Sequence, residues 1–102
     1  MAIRKSKDEK FELNGSKETV FTQCLVALRR AGFKSISENT TIFQIQADYH
    51  KLTTWGKVEI TLTSVTPSVT KVALHTTANV DNIYALFRSP VDKIADAFKS
   101  SL

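Results

Sequence analysis

The chain of 102 residues holds one cysteine, three glycines and two prolines. A lone Cys24 excludes an internal disulfide and cannot support a Cys-rich zinc site. Three glycines leave no Gly-rich loop of the kind that cradles phosphate. No apolar run approaches the roughly 18–20 residues needed to span a bilayer. The opening MAIRKSKDEK is charged where a secretory leader would be apolar. The expectation is a cytoplasmic protein without a disulfide scaffold, a metal centre or a bound cofactor.

What is present suits one small folded domain. Hydrophobic residues make up 42% of the chain, enough for a core. The net charge is +4 and the pI about 9.4, which permits a polyanionic partner without requiring one. The positives are scattered: Arg4, Lys5, Lys7 and Lys10 share their stretch with Asp8 and Glu9, while Arg29, Arg30 and Lys34 lie at the end of a helical stretch. Cations at a helix C-terminus complement its dipole. A sheet that reads nucleic acid needs aromatics on its open face, and only Trp55 qualifies, so nucleic acid is not the expected partner.

The hydrophobic periods define the elements. Residues 1–9 read as a flexible tail and 10–102 as the domain, opening on a short strand over Lys10–Asn14. Ser16 is placed as an N-cap with Glu18 in the first turn. Val20, Phe21, Cys24, Leu25 and Leu28 then recur at helical spacing, and Gly32-Phe33 closes the helix. Strand patterns follow over Phe33–Glu38, Thr41–His50, Trp55–Thr63 and Lys71–Asn79. The last three alternate apolar and polar residues, as a sheet covered on one face does. Ile83, Leu86, Phe87, Val91, Ile94, Ala95 and Phe98 form a closing stripe that Pro90 interrupts. This predicts a helical turn over Asn82–Phe87 and a main helix from Pro90, with Ser89 as its cap. The fold class is therefore α+β, two-layered: a five-stranded antiparallel sheet with two helices on one face, in the order β-α-β-β-β-β-α.

Two places on this plan carry candidate chemistry. The segment YHKLTTWG (Tyr49–Gly56) reads as a hairpin end in which Tyr49 lies opposite Gly56 on the buried face and covers it. His50 and Trp55 then pair on the other face, where His50, Lys51, Leu52 and Trp55 form a recognition patch. The simplest register also aligns Gln46, Glu59 and His75 on neighbouring strands. A carboxylate beside an imidazole can serve as a base or a metal ligand, but two ligands are too few for zinc. The pair reads as solvated. Cys24, on the apolar stripe, reads as a buried and unreactive thiol.

The run SKETVFTQCLVALRRAGF, followed by strands and by TTWGKVEITLTS, resembles small uncharacterised bacterial domains in which an Ala- and Leu-rich helix ends in Gly-aromatic and a Trp-Gly pair starts a middle strand. The element order also resembles one half of the TATA-box-binding-protein fold and a shortened helix-grip fold. The first implies a binder that uses its sheet face, the second an apolar ligand held between sheet and helix. The reading is a non-enzymatic binding or interaction module whose partner is a protein or a small apolar ligand. Its alternative is a carrier with the ligand between the sheet and the C-terminal helix.

Overall fold

The computed structural model describes residues 3–51, 54–80 and 90–102. Its elements are β1 (Ile3–Asn14), α1 (Lys17–Arg30), β2 (Lys34–Asn39), β3 (Gln44–Lys51), β4 (Thr54–Thr66), β5 (Val69–Val80) and α2 (Pro90–Lys99). The strands form one antiparallel sheet in the order β1-β5-β4-β3-β2. The two-layer α+β arrangement is the one the sequence predicts, and α2 starts at Pro90. The helical turn expected over 82–87 and the cap at Ser89 lie outside the described residues.

Helix α1 is fixed at both ends by its own sequence. The Ser16 hydroxyl oxygen accepts from the Thr19 amide at 3.2 Å, satisfying one of the free donors of the first turn. At the other end Gly32 takes φ +87°, a conformation in which a side chain is strained. That lets the Phe33 amide donate to Leu28 O at 2.9 Å and the Gly32 amide to Arg29 O at 3.1 Å. This is the Schellman pattern, and the buried Phe33 and Leu28 supply its apolar partners.

The strand registers stack apolar residues in rows. Ile45, Ile60 and Leu74 align across β3, β4 and β5, as do Ala47, Val58 and Thr76. With Val20, Phe21, Cys24, Leu25 and Leu28 of α1 and Ile94, Ala95 and Phe98 of α2 they form one buried core. Each large apolar side chain so buried contributes roughly 1.5–3 kcal/mol. The alternate residues, among them Gln46, Asp48, His50, Lys57, His75 and Thr77, are exposed or half-buried on the opposite face.

Two expectations change. The first strand does not wait for Lys10: β1 runs from Ile3 and pairs with β5 from Ile3–Val80 to Asn14–Val69. Residues 3–9, read as part of a tail, thus extend the sheet. The inner positions Lys7 and Glu9 are charged, but Glu9 is held by Lys99 Nζ at 2.6 Å and Lys7 Nζ at 3.4 Å, so the ion pairs compensate for the charge placed against α2. Phe43 also leaves the strand assigned to it. It sits in the turn before β3 with φ +50°, its ring edge-on to Phe21 at 5.6 Å and beneath Lys17 Nζ at 4.3 Å.

Candidate ligand site

The end of the β3–β4 hairpin holds a cavity open to the outer face of the sheet. Its volume is about 600 Å³, and Asp48, Tyr49, His50, Trp55, Gly56, Lys57 and Thr77 line it. The register builds it from three strands: Tyr49 faces Gly56, His50 faces Trp55, and Asp48, Lys57 and Thr77 form the next row. Asp48, His50, Trp55, Lys57 and Thr77 therefore share the face turned away from the core. The His50 and Trp55 rings meet edge to face, with centroids 6.3 Å apart. A site of this volume, with aromatic walls and a few polar groups, has the proportions of a small-molecule pocket.

Gly56 is required here for a reason the sequence did not disclose. Tyr49 is opposite it, as expected, but the Tyr49 ring packs on Phe33, 5.2 Å between centroids. A Cβ on Gly56 would instead fall inside van der Waals contact of the Thr77 carbonyl oxygen, 2.9 Å from Ala78 Cα and 3.0 Å from Thr77 C. The close neighbour is the β5 backbone, not an aromatic ring.

The second predicted cluster divides. Gln46, Glu59 and His75 do lie side by side, and β1 adds Asp8 to the row beyond His75. The Glu59 carboxylate accepts from Gln44 Nε2 at 3.0 Å and Gln46 Nε2 at 3.4 Å. His75 Nδ1 is 2.5 Å from Asp8 Oδ1, and its Nε2 is 3.4 Å from Thr77 Oγ1. The imidazole thus takes its carboxylate from β1 rather than from Glu59. A second hollow of about 320 Å³ lies over this row, lined by Asp8, Glu9, Lys10, Glu59, Thr61, Ala73, Leu74 and His75.

Of the predicted patch, His50 and Trp55 line the larger cavity and Lys51 pairs through its backbone with Thr54. Leu52 lies outside the described residues. Asp48, Lys57 and Thr77 are additions. Their polar alternation was visible in the sequence, but only the three-strand register brings them together. No group of three potential metal ligands occurs among the described residues. Cys24 is buried in the core, and burial pushes its thiol up to about 12.

No protein-family model and no curated protein sequence matches the chain; solved structures do. A chain of the adenylate sensor from AMP-activated protein kinase, crystallised with 5-aminoimidazole-4-carboxamide ribofuranotide, is similar with a TM-score of 0.68 and 12% identity over 89% of this chain and 92% of that one. A START superfamily protein from Mycobacterium smegmatis gives 0.58 and 10%, over 94% and 92%. Truncated norcoclaurine synthase from Thalictrum flavum gives 0.63 and 8%, over 98% and 91%. At these identities the likeness is one of fold. It falls on the helix-grip side of the sequence resemblance rather than on the TATA-box-binding-protein side.

Proposed function

We propose that this chain is a non-enzymatic carrier of a small, largely apolar ligand, and that the ligand sits against Trp55 at the end of the β3–β4 hairpin. The observation that carries the reading is the cavity of about 600 Å³ walled by Tyr49, His50 and Trp55. Similarity of fold to a START superfamily protein favours a carrier over a protein-interaction module. The described part of α2 argues for the hairpin end over the space beneath the helix, because Ile94, Ala95 and Phe98 there are fully buried by protein. No described helix is long and apolar enough to cross a membrane, so the carrier reading involves no helical anchor among these residues.

Native mass spectrometry of the protein purified from its own cells tests this. The reading requires an adduct of small-molecule mass that organic solvent releases and that Trp55→Ala loses. A bare mass, or an adduct of a second polypeptide, would refute it.

A further inference from the structure

The larger cavity and the smaller hollow meet at one hydrogen-bonded chain, Asp8–His75–Thr77. Thr77 lines the first and His75 the second. The chain fixes which way each proton points. An ionised Asp8 carboxylate can only accept, so His75 Nδ1, 2.5 Å away, carries a hydrogen. In the neutral ring Nε2 is then bare and accepts from the Thr77 hydroxyl at 3.4 Å. With the hydroxyl hydrogen turned to His75, the lone pairs of Thr77 Oγ1 are left to accept from a ligand.

We propose that Thr77 is the polar anchor of the Trp55 cavity, that the Asp8–His75 pair sets its hydrogen-bonding sense, and that the ligand is a flat apolar molecule bearing one hydrogen-bond donor, of the phenol or aryl-alcohol class. This rests on the ligand-site reading above and specifies the chemistry of the same site. Protonation of His75 reverses the sense. Nε2–H then donates to Thr77 Oγ1, the hydroxyl hydrogen turns to the cavity, and a ligand that only accepts is favoured. The charged groups facing His75 are Asp8 and Lys10 from β1 and Lys57 and Glu59 from β4. Of these, Asp8 is the one bonded to its ring, whereas Glu59 is held by Gln44 and Gln46.

The test uses the full chain and two probes of nearly equal shape, 2-naphthol and 2-methoxynaphthalene. Their affinities are read from the NMR resonance of the Trp55 indole N–H, the single indole in the sequence. Titration runs between about pH 5 and pH 8, where a phenol keeps its proton, and the His75 ring resonances report its own protonation. With His75 neutral, 2-naphthol should bind more tightly by roughly three- to ten-fold, the usual net worth of one hydrogen bond. The ratio should fall toward one, or invert, as His75 protonates. Thr77→Val and His75→Gln should each abolish the pH dependence of the ratio, and Thr77→Ser should retain it. A ratio that ignores His75 protonation, or that survives in Thr77→Val, overturns the donor assignment while leaving the cavity reading intact. Failure of both probes to bind overturns the cavity reading and this inference with it.

Discussion

Gly56→Ala is a one-carbon change with a large expected cost. The new Cβ would sit 2.9 Å from Ala78 Cα and 3.0 Å from Thr77 C, against the ~3.5–4.0 Å at which carbons pack. These are backbone atoms of a central strand, so no side-chain rotation can relieve the contact. β4 and β5 must move apart around the Gly56–Ala78 pair. Weakening two ladder hydrogen bonds, each worth ~0.5–1.5 kcal/mol net, and adding ~1–3 kcal/mol of overpacking gives a loss of about 2–6 kcal/mol. For a domain of this size each kcal/mol lowers Tm by roughly 4–8 °C. Urea unfolding followed by far-UV circular dichroism measures it without relying on the neighbouring Trp55. A double-mutant cycle with Tyr49→Leu identifies the obstacle. If the backbone of β5 is what crowds the Cβ, the cost of Gly56→Ala persists in the Tyr49→Leu background. A cost below about 0.5 kcal/mol, or one that vanishes when the ring is removed, would refute the reasoning.

Leu28 is fully buried and also closes the α1 C-terminus with Phe33, so Leu28→Ala should cost ~2–5 kcal/mol in the same urea assay. Glu9 has its carboxyl held below the ordinary value of 4.5, chiefly by its hydrogen bond with Lys99 and further by Lys7. Its contribution to stability is therefore complete above 4.5 and is lost as pH falls from there through the lowered native value. Glu9→Gln should be less stable than wild type at neutral pH, and the gap should narrow in acid; a gap independent of pH contradicts the ion-pair account. Cys24, buried and with its thiol raised to about 12, should ignore a disulfide reagent in the native state and react fully in denaturing urea. Rapid native labelling would mean that α1 opens.

The parts of this molecule that were legible in the sequence are those where each strand or helix carries its own periodic signal. The Ser16 cap, the Gly32-Phe33 closure and the Tyr49–Gly56, His50–Trp55 and Gln46–Glu59–His75 registers all follow from local alternation and turn chemistry. β1 was legible only at its Phe11 end. Its inner positions Lys7 and Glu9 carry charge, and the partner that makes this tolerable, Lys99, is 90 residues away from Glu9 in sequence. Asp8 was hidden for the same reason, so the Asp8–His75–Thr77 chain could not be seen before the β1–β5 pairing was known. The reason for Gly56 was hidden too, because a close approach between two backbones leaves no mark on side-chain patterning. Phe43 kept the alternation of a strand while its backbone had already turned.

The central claim is that a ligand occupies the hairpin end. The most direct measurement is chemical-shift mapping of the ¹⁵N-labelled chain during titration with 2-methoxynaphthalene. The account predicts a saturable shift of the Trp55 indole N–H, with the largest amide changes at Asp48, His50, Gly56, Lys57 and Thr77, the residues lining the cavity. Changes that never saturate, or that centre on Ile94 and Phe98 beneath α2, would contradict it.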